Sequence, residues 1–137
     1  MKHLAITLLL VDDFAAFRTV VSSLLGKKPE LHIVGEASEG IEAVQKAQQL
    51  QPSLILLDIG LPKLNGIAVA RQIHELAPQS KIIFVTQESS ADIVREAISS
   101  EAMGYVLKCN VQSELLKAID SVLAGKEFIG TGLTGSP

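Results

Sequence analysis

Short apolar stretches alternate with amphipathic ones along most of the chain. The apolar stretches are rich in β-branched residues and predict five strands, at residues 6–11, 31–37, 53–58, 81–86 and 104–108. Between and after them, apolar residues recur at three- and four-residue steps, as in Phe17, Val20, Val21, Leu24 and Leu25. This spacing predicts a helix after each strand.

Five strands that alternate with five helices predict an α/β fold, because parallel strands need crossover helices and become apolar along their whole length when both faces are covered. We expect a three-layer (βα)5 doubly wound parallel sheet. The run Leu54–Leu57 has four large apolar residues in succession and indicates the most buried, central strand. The helix after Thr86 has the thinnest apolar stripe, but Ser89 and Asp92 form a capping-box pattern that predicts its start.

Length and composition narrow the class of protein. The chain has 137 residues, of which 47% are hydrophobic and 20% charged. This length and composition predict one globular domain. The opening apolar run is followed at once by Asp12 and Asp13, which is unlike a secretory signal, and no run reaches the ~20 apolar residues of a membrane span. A net charge of −3 without a basic stripe argues against nucleic-acid binding by this chain alone. We expect a cytoplasmic protein that binds no membrane.

Chemically active side chains gather at the carboxyl ends of the predicted strands, where ligands bind in open α/β sheets. Asp12 and Asp13 end the first strand, Asp58 the third, Thr86 the fourth and Lys108 the fifth. Any one of them alone is ordinary, since aspartate is a common cap or turn residue and a terminal lysine is usually solvated. All of them fall at the same end of the sheet and none at the other, which predicts a shared site.

Converging carboxylates repel one another unless a cation lies between them. Hard oxygen ligands suit Mg²⁺ (or Mn²⁺), which binds through one or two carboxylates plus a phosphate oxygen. A lysine and a hydroxyl group add a positive charge and a hydrogen-bond donor. This set is what phosphoryl transfer to an aspartate needs: a nucleophile, charge neutralisation and donors to the phosphoryl oxygens.

Four motifs carry a family resemblance: L-L-L-V-D-D-F at 8–14, L-L-D-I-G-L-P at 56–62, V-T at 85–86 and G-Y-V-L-K at 104–108. Together they resemble the receiver domain of two-component response regulators, with a CheY-like, flavodoxin-like fold of strand order 2-1-3-4-5. The runs V-G-E-A-S-E-G at 34–40 and L-A-G-K at 123–126 are similar to NarL/FixJ-type regulators, whose receivers precede a helix-turn-helix DNA-binding domain.

The resemblance implies a role for each site residue. Asp58 would be the phosphoacceptor for a sensor histidine kinase, and the domain would catalyse only its own phosphorylation and slow autodephosphorylation. Asp13, Asp58 and the backbone carbonyl of Gly60 would ligate the metal ion, with Asp12 acting through a water molecule. Lys108 and Thr86 would bind the phosphoryl oxygens, and Tyr105 would pass from an exposed to a buried position as Thr86 moves inward.

The resemblance also implies a domain layout and partners. We expect a receiver domain at residues 1–126 and a flexible tail at 127–137 that leads to a DNA-binding output domain, since T-G-L-T-G-S-P at 131–137 has linker composition. Phosphorylation would promote a homodimer. Two positions depart from the family pattern: Gln87 replaces a small residue after the switch threonine, and Cys109 stands where proline is frequent, which argues against a cis peptide there.

Two other functions remain open on the residues alone, and one more fails on its chemistry. The first is a small-metabolite phosphohydrolase that works through an aspartyl-phosphate, although so short a chain has little to enclose a substrate. The second, a flavodoxin-like nucleotide or flavin binder, fails because D-D-F-A-A-F at 12–17 is no phosphate-binding loop and paired aspartates would repel a phosphate without a metal. The third is a docking module of receiver type that no longer uses phosphorylation, an alternative that Gln87 keeps open.

Overall fold

The alternating pattern folds into one parallel sheet with helices on both faces. The computed structural model describes residues 5–100 and 102–133. Its strands are β1 Ile6–Val11, β2 Leu31–Ala37, β3 Leu54–Leu57, β4 Lys81–Thr86, β5 Gly104–Leu107 and β6 Phe128–Ile129. Its α-helices are α1 Ala15–Leu25, α2 Gly40–Leu50, α3 Gly66–Leu76, α4 Ala91–Ile98 and α5 Val111–Leu123. The strand order β2-β1-β3-β4-β5-β6 confirms the predicted doubly wound sheet and adds one strand to it.

The sheet separates two apolar layers. Helices α2, α3 and α4 pack on one face and α1 and α5 on the other. Strand β3 contributes to both layers, because Ile55 and Leu57 face the first while Leu54 and Leu56 face the second. This two-sided burial explains its unbroken apolar run and confirms it as a central strand. Within the described part of the chain, no helix is long and apolar enough to cross a membrane.

Four element boundaries differ from those predicted. Strand β3 begins one residue late, at Leu54, and strands β3 and β5 end one residue early, at Leu57 and Leu107. A short 3-10 turn, Lys108–Asn110, precedes α5. Helix α4 is capped by Ser90, whose hydroxyl accepts a hydrogen bond from the backbone amide of Ile93. The capping-box interpretation of Ser89 was therefore wrong by one residue.

The segment after α5 is the main correction to the sequence analysis. A flexible tail was predicted from residue 127, but Phe128–Ile129 form β6 alongside β5, and the amide of Gly130 donates to the carbonyl of Tyr105 at 2.8 Å. The amide of Thr131 donates to the carboxylate of Glu114, and the side chain of Leu133 is fully buried. Segment 127–133 is thus part of the domain, while residues 134–137 lie outside the described residues. The output domain beyond them stays a prediction.

Because Leu133 is buried in the layer that contains Tyr105, we expect Leu133→Ala to lower the free energy of unfolding by about 2–4 kcal/mol. Ile129 is 38% exposed in the same segment, so Ile129→Ala is the matched control, with an expected loss below about 1 kcal/mol. Urea unfolding of both variants measures the difference. Equal small losses would mean that the segment does not stabilise the domain.

Candidate functional site

The side chains predicted from the strand ends meet at one edge of the sheet. Oxygen atoms of Asp12, Asp13 and Asp58 lie within 4.8 Å of one another. A cavity of about 410 Å³ opens beside them. Its lining consists of Asp13, Phe14, Asp58, Gly60, Thr86, Gln87, Glu88 and Lys108. The parallel sheet therefore brings Asp13, Asp58, Gly60, Thr86 and Lys108 to one cavity. Asp12 joins this group through its carboxylate, whereas Tyr105 lies outside the cavity lining and contacts Glu88.

Lys108 bridges two of the three carboxylates. Its Nζ lies 2.7 Å from Oδ2 of Asp12 and 3.2 Å from Oδ2 of Asp58, and 4.6 Å from the centre of the Phe17 ring. Burial alone would lower the pKa of this ammonium group, but its hydrogen bond to Asp12 and the charges of both aspartates outweigh burial and raise it. Lys108 is therefore a fixed positive charge at the floor of the site.

Both carboxylate oxygens of Asp12 have polar partners, but burial still disfavours the charged form of this side chain. Its Oδ1 accepts a hydrogen bond from the amide of Phe14 at 2.8 Å, while Oδ2 faces Lys108. Burial raises the pKa of the Asp12 carboxyl group above its ordinary value; Lys108 and Phe14 oppose this shift, and the charge of Asp58 adds to it. One lysine against three carboxylates leaves the site short of positive charge, and a divalent cation would supply it.

The loop after β3 fixes the position of Asp58. The amide of Gly60 donates to Oδ1 of Asp58 at 3.1 Å, and the amide of Gly66 donates to the carbonyl of Ile59 at 2.7 Å. A Cβ at position 66 would lie 2.2 Å from the backbone oxygen of Asp58, so the loop closes this tightly only with glycine. The Asp58 carboxylate is consequently presented by a short, folded-back loop.

Thr86 and Tyr105 converge on the backbone of one residue. The Thr86 hydroxyl accepts from the amide of Glu88 at 3.3 Å, and the Tyr105 hydroxyl donates to the carbonyl of Glu88 at 2.8 Å. Both side chains are buried, and burial, followed by the charges of Glu88 and Asp58, raises the pKa of the phenol. The loop after β4 is thus tied to the cavity on one side and to β5 on the other.

This geometry agrees with a family match along most of the chain. The family described as response regulator receiver domain matches residues 8–120. The chain is a response regulator receiver domain. The sequence-based identification is confirmed, and the family is one of signalling proteins rather than of metabolic enzymes.

Two curated relatives and one solved structure illustrate the match. The receiver is 34% identical over 128 residues to the nitrate/nitrite response regulator protein NarL of Escherichia coli, which covers 93% of this chain. It is 40% identical over 124 residues to a putative transcriptional regulator of Pseudomonas aeruginosa, covering 90% of the chain. The chain spans 59% of the length of each of these relatives.

The solved structure is that of a two-component response regulator of the LuxR family from Aurantimonas. It superposes with a TM-score of 0.89 at 27% identity and covers 94% of this chain and 92% of its own. The similarity thus extends over nearly the whole receiver fold, in agreement with the predicted NarL/FixJ-type subfamily.

The acidic pocket of the receiver fits a hard divalent cation. Asp13 is exposed and lines the cavity with Asp58, so both carboxylates open toward the same space. Gly60 lies beside them and contributes a backbone carbonyl to the loop. Oxygen donors of this kind are what Mg²⁺ prefers. The donor set therefore agrees with the predicted cofactor.

The two departures from the family pattern lie at the edge of the site. Gln87 is exposed and lines the cavity, and Cys109 is exposed in the 3-10 turn after Lys108. Every described peptide bond is trans, including the one that precedes Cys109. Phe17 and Arg18, which both contact the site from α1, were missed as site residues, because their contacts depend on how the helix lies against the sheet.

Proposed function

We propose that Asp58 accepts a phosphoryl group from a phosphohistidine of a sensor histidine kinase in a Mg²⁺-dependent reaction. The observation that carries this proposal is the position of the Asp58 carboxylate, which opens on a cavity between Asp13, Thr86 and Lys108. The domain would then act as a switch whose state depends on the phosphoryl group.

The transfer forms one bond and breaks one. A carboxylate oxygen of Asp58 attacks phosphorus as the bond from phosphorus to the donor's imidazole nitrogen breaks, and the electron pair of that bond stays on the imidazole. Lys108, now hydrogen-bonded to Asp58, would exchange part of that contact for a phosphoryl oxygen. The fixed ammonium thereby stabilises negative charge that accumulates on the phosphoryl group.

Asp13, Asp58 and the carbonyl of Gly60 are the residues that would hold Mg²⁺, with Asp12 behind them acting through a water molecule. The bound ion would supply charge neutralisation for the incoming phosphoryl group. The cluster of three carboxylates supports this assignment, because a bound cation would reduce the repulsion between their negative charges.

The contacts at Glu88 suggest how the signal leaves the site. Rotation of the Thr86 side chain toward a phosphoryl oxygen would break the hydrogen bond that its hydroxyl now accepts from the amide of Glu88, whose carbonyl is held by Tyr105. New charge-assisted hydrogen bonds from Thr86 and Lys108 would contribute about 1.5–3 kcal/mol each. Shifting a two-state equilibrium from 1:99 to 99:1 requires about 5.5 kcal/mol, which two such bonds roughly provide.

The whole protein extends this proposal. Since relatives such as NarL are longer than this chain, we expect a helix-turn-helix DNA-binding domain after the receiver, homodimer formation on phosphorylation, and a cytoplasmic regulator of transcription. The printed description of the Pseudomonas aeruginosa relative as a putative transcriptional regulator supports this expectation.

Intact-mass measurement with acetyl phosphate and Mg²⁺ tests the proposed function. The wild-type chain should gain one phosphoryl group, and a chelator should abolish the gain because the carboxylates then repel the donor. Steady release of phosphate from phosphomonoesters would favour the phosphohydrolase instead. A chain that gains nothing from acetyl phosphate, from phosphoramidate or from a phosphorylated kinase would be the docking module.

A further inference from the structure

Arg18 holds the backbone of the metal-binding strand end from outside the cavity. Its guanidinium Nη1 donates to the backbone carbonyl of Asp12, and its Nε donates to Oε1 of Glu36 on β2 at 2.7 Å. The side chain is 19% exposed, against 45% for Glu36. One planar fork thereby joins α1, the end of β1 and the edge strand β2 through two nitrogen atoms in a fixed geometry, which the flexible ammonium group of a lysine does not reproduce.

Every polar group of Asp12 is then accounted for. Its amide donates to the carbonyl of Ala37 at 3.0 Å, its carboxylate oxygens are taken by Phe14 and Lys108, and its carbonyl is taken by Arg18. The carbonyl of Asp12 and the amide of Asp13 belong to one rigid peptide plane. Fixing that carbonyl therefore fixes the peptide plane from which the Asp13 backbone continues, and so restricts the positions that the Asp13 side chain can take at the cavity.

The acceptor of Arg18 is itself anchored. Lys46 on α2 donates from Nζ to the backbone carbonyl of Glu36 and lies 2.9 Å from Glu42. Glu36 consequently offers its carboxylate to Arg18 from a strand that α2 holds in place. The guanidinium thus contacts the Glu36 carboxylate and the Asp12 carbonyl at once, and it holds the end of β1 in place relative to β2.

We infer that Arg18 is a positioning residue for the metal site: by holding the carbonyl of Asp12 it orients Asp13 toward the divalent cation. The inference rests on the proposed function, because it requires that Asp13 ligate Mg²⁺. Partners that orient metal ligands from outside the coordination sphere typically change metal affinity about 10–100-fold. We expect a change in Mg²⁺ affinity near the lower end of this range, about tenfold, because Arg18 acts on Asp13 only through one peptide plane.

An electrostatic role and a positioning role of Arg18 predict opposite changes in Mg²⁺ affinity for Arg18→Met. Removing a cation near a site for Mg²⁺ would tighten binding if only the electrostatic field mattered. Removing a positioning contact weakens binding instead. Glu36→Gln is the matched control, because it deletes a negative charge but keeps a carbonyl oxygen for Nε of Arg18. If only the electrostatic field mattered, Glu36→Gln would bind Mg²⁺ more weakly than wild type. If Arg18 acts by positioning, the Mg²⁺ affinity of Glu36→Gln should change little.

Calorimetric titration of the chain with Mg²⁺ alone, at fixed ionic strength, decides between them. We expect Kd to rise about tenfold in Arg18→Met, to take an intermediate value in Arg18→Lys and to change less than about twofold in Glu36→Gln. Melting temperatures with and without Mg²⁺ give a second readout, because weaker binding reduces the Mg²⁺-dependent increase. A merely structural Arg18 would lower both melting temperatures equally.

Two outcomes overturn the inference. One is an Arg18→Met chain that binds Mg²⁺ as tightly as wild type or more tightly. The other, decisive if Arg18→Met does not fold, is an Arg18→Lys chain with the wild-type Kd. If the wild-type chain itself binds no Mg²⁺, the metal site of the proposed function fails first, so the two failures are distinguishable.

Discussion

An Asp58→Asn chain is expected to gain no phosphoryl group from acetyl phosphate and Mg²⁺, with a rate at least about 100-fold below wild type. The amide is nearly the same size as the carboxylate and keeps an oxygen for the amide of Gly60, but it has no anionic oxygen to attack phosphorus. Intact mass against time measures the loss.

The control for that variant is Asp92→Asn on α4. Asp92 is an exposed carboxylate outside the cavity, so its substitution should leave the rate unchanged within about twofold. Asp58→Asn should also remain as stable as wild type, because it removes one of three mutually repelling carboxylates. A mass gain that persists in Asp58→Asn would place the acceptor elsewhere.

Lys108→Met should lower the free energy of unfolding of the domain, and Mg²⁺ should reduce that loss. It leaves Asp12 and Asp58 without the ammonium group that now lies 2.7 Å and 3.2 Å from their carboxylates. Breaking a fully buried pair costs about 3–5 kcal/mol, and the open cavity reduces this to about 2–3 kcal/mol. Because a divalent cation can neutralise the same carboxylates, Mg²⁺ should restore part of the loss. Urea unfolding with and without Mg²⁺ measures both quantities.

Lys28→Met is the matched control for Lys108→Met. Lys28 forms a surface ion pair with Asp120, 3.4 Å away and outside the candidate site, which is worth less than about 1 kcal/mol. We expect its loss to be small and independent of Mg²⁺. A Lys108→Met chain that is as stable as wild type without Mg²⁺ would mean that water, rather than lysine, compensates the aspartates.

The candidate site was predictable because each of its residues is a local feature of the sequence. Asp58 follows the apolar run Leu54–Leu57, and Asp12 follows another apolar strand. Parallel strands place all their carboxyl ends at one edge, so local position along the chain is enough to predict proximity in space. Nothing about the contacts between these residues is needed for that step.

The interactions within the site required the folded chain. Lys108 could have extended into solvent, but the order of the strands brings it between Asp12 and Asp58. Thr86 and Tyr105 are distant in sequence and meet at Glu88 only because β4 and β5 are neighbours. Such pairings leave no periodic signal, because they depend on which strands lie side by side.

The sequence by itself determined the class of fold, the central strand and the edge at which the chemistry occurs, because burial imposes a periodicity that local patterns carry. Tertiary structure alone decided the placement of Arg18 and of segment 127–133. Arg18 reaches the carbonyl of Asp12 because α1 packs across the end of β1, and β6 has only two residues, too few for any pattern to show. Contacts between separate elements are set by packing geometry, which a one-dimensional pattern does not contain.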